Sequence, residues 1–159
     1  MKAAFARRGF SLIELVIVVV IIGIIAAIAI PRMSSGVTRA GDSALSGNLT
    51  VLRNAIDLYH TEHGGTDADY PKLATFEDQL TKFTKLDHSV SATKTGEFIY
   101  GPYLRAIPVL PIGTKKGLNG VGSAVGASVG WVYDDTTGSI KAGLPDAEKD
   151  AAGKQYNQY

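Results

Sequence analysis

One carboxylate stands where its surroundings demand an explanation. Glu14 is the fifth residue of Phe10–Ile30, a run in which only Ser11, Glu14 and Gly23 interrupt a series of apolar side chains. A carboxylate in apolar surroundings is costly unless a cation or a set of donors is supplied. Near a membrane surface the penalty shrinks, so a merely tolerated charge is the plain reading and a paired one the functional reading.

Other groups of reactive type are sparse. His60 and His63 are three residues apart, a spacing that can hold a metal, but two ligands without a third do not make a site. Histidines near a helix end also suit the helix dipole and solvent. Asp134-Asp135-Thr136-Thr137 is oxygen-rich, as calcium requires, and is equally the composition of a β-turn. Gly120, Gly122 and Gly126 match no phosphate-binding pattern, and no helix start follows them. There is no cysteine, which excludes thiol catalysis and disulfides, and no serine or histidine lies in a recognisable nucleophile motif. Catalysis is not expected.

The elements that must carry these groups follow from periodicity. At ~1.5 Å per residue, Phe10–Ile30 makes a helix of ~32 Å, enough to cross a bilayer's hydrocarbon core. Beyond Pro31 the pattern becomes amphipathic, with Leu45, Leu49, Leu52, Ile56 and Tyr59 at steps of four, three, four and three. Pro31 predicts a kink or local unwinding, and Gly64-Gly65 predict the end of a helix running from Phe10 to His63. Phe76, Leu80 and Phe83 predict a short helix over 75–85, followed by a polar loop over 87–96 and a short strand over 97–100. The glycine-rich segment 113–130 reads as a mobile loop. Val129–Tyr133 and Ser139–Lys141 flank Asp134–Gly138 as a β-hairpin, and the tail over 146–159 reads as polar and frayed. Phe76, Leu80, Phe83 and Trp131 are expected to pack on the Leu45–Tyr59 stripe. The fold class is α+β: a long N-terminal helix with an apolar half (10–30) and an amphipathic half, then a small, loop-rich globular head over 64–159 containing a hairpin.

A short basic leader ending in Gly9, then Phe10, then an apolar helix with Glu14 five residues in, resembles the type IV pilins and type II secretion pseudopilins. The resemblance implies a leader over 1–9, cleavage between Gly9 and Phe10 by a prepilin peptidase, and methylation of Phe10 by the same enzyme. Glu14 then corresponds to the family's assembly glutamate, pairing with the new amine on a neighbouring subunit's Phe10, and Pro31 to a proline many members carry. The resemblance also implies copies of the chain and other pilin-like subunits as partners, an inner-membrane platform with a separate ATPase, and a filament whose core is the apolar helix.

Some major pseudopilins bind calcium in a C-terminal loop, so Asp134 and Asp135 stand as candidate ligands; no other cofactor is expected. Residues 100–113 and 130–140 look like the globular part of some pseudopilin-like proteins. Many type IV pilins close this region with a disulfide, so the missing cysteines lean towards the pseudopilin branch, with a type IV pilus subunit for adhesion, motility or DNA uptake as the alternative. Lys2, Arg7 and Arg8 place the N-terminus in the cytoplasm and send the rest across the membrane; the resemblance implies that this is the bacterial inner membrane, with a periplasmic or extracellular head. Removing them leaves 16 − 3 = 13 basic residues against 15 acidic, which gives nucleic-acid binding no support. An ordinary signal anchor bearing an independent binding head accounts for the apolar run, but not for Gly9, Phe10 and Glu14 together.

Overall fold

A computed structural model describes residues 10–159, with side chains left aside at residues 30–35 and 67. The chain divides into two compact units, the first ending at Val37 and the second running from Thr38 to Tyr159. Helix α1, Leu12–Glu62, contributes to both. Its backbone is helical across Pro31, so the local unwinding expected there is not found. A proline removes one donor from the ladder, and helical bonds on either side can hold the segment.

In the first unit, Leu12–Ala29 has a mean hydropathy of 3.2 and none of it is buried. In the second unit the stripe does what its period predicts. Leu45, Leu49, Leu52, Ile56 and Tyr59 are all buried, while Arg53, Asn54 and Asp57 between them are exposed. The helix ends where two glycines take up left-handed backbone, Gly64 at φ 128° and Gly65 at φ 74°, with Gly65 N–H donating back to His60 O at 2.9 Å.

The rest of the second unit wraps this helical face. After 3-10 turns at Asp67–Asp69 and Leu73–Thr75 comes α2, Phe76–Thr81, whose Phe76 and Leu80 are buried. The helix expected over 75–85 stops early, because Phe83–Thr84 forms strand β1, antiparallel to β2 at Val90–Ser91. The strand expected over 97–100 is reduced to one bridge between Thr84 and Tyr100. A three-stranded sheet follows: β3 (Gly120–Gly122) runs parallel to β4 (Val129–Tyr133), and β4 pairs antiparallel with β5 (Ile140–Ala142). The β4–β5 hairpin is the one read from Asp134–Gly138. Trp131, Tyr133, Ile140 and Leu144 close the core with Phe76, Leu80 and Leu110. Both large polar aromatics there find partners: Trp131 Nε1–H donates to Pro108 O at 2.7 Å, and Tyr133 O–H to Pro71 O at 3.0 Å.

Two further expectations are corrected. The 113–130 segment is tied down rather than loose. The Lys115 ammonium donates to Gly126 O and Gly143 O, both at 2.7 Å, and β3 within it joins the sheet. The tail is not frayed either. Tyr156 is buried and its hydroxyl donates to Asp42 at 3.0 Å, while Arg53 on α1 donates to the carbonyls of Ile140 and Tyr159. Polar side chains at a terminus suggest solvation, but here they meet partners on the exposed shoulder of α1.

Candidate assembly segment and neighbouring sites

Gly9 and the basic leader lie outside the described residues. Phe10 precedes α1 and is exposed, as are the large apolar residues Leu12 to Ile25 and Ile28. Nothing in the described chain shields this surface. Such an expanse exceeds the few hundred Å² of contiguous apolar patch that soluble monomers ordinarily show.

The start of α1 has a defined geometry. Ser11 N–H donates to Glu14 Oε2 at 2.9 Å, and Leu15 N–H donates to Ser11 O at 3.2 Å, the first helical bond. Glu14 therefore closes the glutamate half of a capping box, satisfying a backbone donor that a helix start would otherwise leave open. The pattern Ser11-x-x-Glu14 ahead of an apolar run is a readable helix-start signature, and it gives Ser11 a part that hydrophobic periodicity does not reveal. The contact places the Glu14 carboxylate over the first turn, where the helix dipole favours negative charge. A carboxylate has about four acceptor positions, so this bond leaves capacity for a cation. Pro31 lies in helical backbone 17 residues further along α1.

Asp134 and Asp135 are both engaged within the head. Asp134 Oδ1 accepts from Thr136 N–H at 2.9 Å and Thr136 O–H at 2.6 Å, which holds its carboxyl below the usual carboxylate range. Asp135 Oδ2 accepts from Leu73 N–H at 3.2 Å. Lys141 lines the same shallow pocket. Among the described residues no group of three His, Cys, Asp or Glu side chains is placed to share a metal ion. Calcium takes six to eight oxygens. Two carboxylates beside a lysine do not by themselves fill that requirement.

His60 and His63 diverge. His60 Nε2 bonds Thr66 O at 2.9 Å and its ring stacks on Tyr70, whereas His63 turns inward and is only 3% exposed. They share no ligand position.

Residues 5–30 match the family model described as the prokaryotic N-terminal methylation motif. The chain is 31% identical over 108 residues to the type II secretion system core protein G of Pseudomonas aeruginosa, an alignment covering 67% of this chain and 69% of that protein. It belongs to the pilin and pseudopilin family. Core protein G of Escherichia coli is 32% identical over 63 residues, 40% of this chain and 43% of that one. The type IV major alpha-pilin of Moraxella bovis is 44% identical over 52 residues, 33% of each. The chain thus spans less than half the length of these last two relatives. No solved structure matches this pilin-like chain.

Proposed function

We propose that the chain is a structural subunit of a helical pilus-like filament, of the type II secretion pseudopilin branch. The observation that carries the filament reading is the unshielded apolar surface of α1 behind a methylation motif, with Glu14 held at its start. In the membrane that surface is solvated by lipid; in a filament it packs against copies of itself, so assembly exchanges lipid contacts for helix contacts. The branch is favoured by reach. Similarity to core protein G extends over 67% of this chain, whereas that to the alpha-pilin covers 33%. A surface pilus for adhesion, motility or DNA uptake is the second reading, resting on the higher identity of that shorter match.

In this scheme a prepilin peptidase cuts between Gly9 and Phe10 and methylates Phe10, and the new amine enters an apolar surround beside a neighbour's Glu14. The capping contact to Ser11 supports the role: it pre-orients the carboxylate one residue from Phe10. Breaking a buried ion pair by removing one partner costs about 3–5 kcal/mol. The ATPase and membrane platform that drive assembly are separate proteins, and the subunit's own contribution is structural.

The experiment is Glu14→Leu in the native host. Insertion is unharmed, because a charge leaves the apolar segment. The mature protein begins at methylated Phe10 by mass spectrometry, and filaments are few or absent by electron microscopy. A wild-type protein that still begins at Met1 removes the processing scheme; normal filament yield from Glu14→Leu removes the pairing mechanism. Loss of secretion without surface filaments in a deletion strain selects the pseudopilus over the pilus.

A further inference from the structure

The head contains a paired-histidine device at the C-terminal end of α1 that the assembly scheme does not use. His63 is stacked on Tyr59 at 3.9 Å between ring centroids and 12° between planes, and on His88 at 5.2 Å and 17°. Its Nδ1 donates to Tyr59 O at 2.8 Å, while its Nε2 is buried with no hydrogen-bond partner. His88 comes from the turn between β1 and β2 and is the one non-glycine residue with positive φ among those described, at 67°. That backbone region is sparsely populated by residues with a side chain. His88 Nδ1 bonds the Tyr59 hydroxyl at 2.8 Å, and its Nε2 faces Asp69 Oδ1 at 3.5 Å.

We infer that this cluster is an acid-sensitive latch, in which a proton on the unpartnered Nε2 of His63 releases the β1–β2 hairpin from α1. His88 keeps both of its contacts when protonated, donating Nδ1–H to Tyr59 and Nε2–H to Asp69. His63 Nε2 makes no hydrogen bond in the closed form, so a proton there sets positive charge in a buried position against the His88 ring. Burial first, and His88 in addition, push its pKa below the ordinary histidine value, against the Tyr59 carbonyl, Glu62 and the Lys85 carbonyl, which act the other way.

The remaining charged groups around the pair do not titrate it away. Asp69 is held ionised by hydrogen bonds from Thr66, and Asp87 by those from Ser89. The Lys85 ammonium is engaged by Asp87 and Glu97, Glu62 accepts from Tyr103, and Tyr100 presents only its ring to His63. His60 lies apart, on Thr66 and Tyr70. Because the closed form binds a proton on His63 less well than the open form, closure is complete above about pH 6.5. It weakens as pH falls, by up to tenfold in the opening equilibrium per pH unit for one proton taken up.

Hydrogen exchange by mass spectrometry on the full chain in detergent micelles tests this, with rates corrected for the intrinsic pH dependence. Between pH 7.5 and 5.0 the protection of residues 83–91 is expected to fall at least fivefold, while residues 45–56 and 129–133 stay unchanged. Unchanged hairpin protection, or an equal fall in the core, overturns the latch. His63→Phe keeps an apolar aromatic in the stack and removes the titrating group, so its hairpin protection is expected to be flat with pH; a persisting fall overturns the assignment to His63. If that variant loses core protection already at pH 7.5, His88→Gln decides. Removing the second imidazole from the stack halves the fall or better, and a fall as steep as in the wild type overturns the proposal.

Discussion

Leu52 and Leu58 lie six residues apart on α1 and differ in the property that sets the cost of truncation. Leu52 is 0% exposed and belongs to the core; Leu58 is 50% exposed on the outer face. Leu52→Ala loses its transfer energy and leaves a cavity beneath residues held by the sheet, a cost of about 2–5 kcal/mol. For a unit of about 120 residues, an unfolding entropy near 2.1 cal/mol/K per residue gives roughly 0.25 kcal/mol per degree. A loss of about 3 kcal/mol then lowers the melting temperature by roughly 12 °C. Leu58→Ala opens no cavity and stays within about 0.5 kcal/mol, or roughly 2 °C. The assay is built into the chain: Trp131 is its one tryptophan and is fully buried, so fluorescence on heating reports the head while the apolar helix stays in detergent. Equal shifts for the two variants, or a shift under about 3 °C for Leu52→Ala, refute the assignment of the buried face.

Two further predictions concern the head. A Cβ at Gly138 would meet Tyr70 Cε1 at 2.3 Å, on backbone at φ 70°, whereas Gly65 at φ 74° faces open space. Gly138→Ala is therefore expected to cost about 2 kcal/mol or more by thermal melting and Gly65→Ala about 1 kcal/mol, and the order reversed would show that the Tyr70 ring yields freely. Lys115→Met removes two charge-assisted bonds, worth about 1.5–3 kcal/mol each, and is expected to raise proteolytic cleavage within residues 113–130. Calcium or EDTA is expected to shift the wild-type melting temperature by less than about 1 °C, and a rise of several degrees with calcium would restore Asp134 and Asp135 as ligands.

Signals carried by near neighbours in the chain are legible in the sequence alone. The apolar run, the stripe from Leu45 to Tyr59, the stop at Gly64-Gly65 and the turn at Asp134–Gly138 each depend on bonds or packing faces set within a few residues. The Ser11–Glu14 capping contact is equally local, and its spacing is enough to reveal it. What is not legible depends on groups far apart in the chain. The glycine-rich segment is ordered because Lys115 reaches the carbonyls of Gly126 and Gly143 and because β3 pairs in parallel with β4, neither of which leaves a periodic trace. The tail is held by Asp42 and Arg53, more than 100 residues before it. His60 and His63 look equivalent as letters in a chain, yet one caps a turn in solvent and the other is stacked against His88, 25 residues away. Helical period, caps and turn chemistry are properties of short segments, and the sequence states them directly. Which distant polar group satisfies which depends on where the folded chain brings them together, and only the tertiary structure decides that.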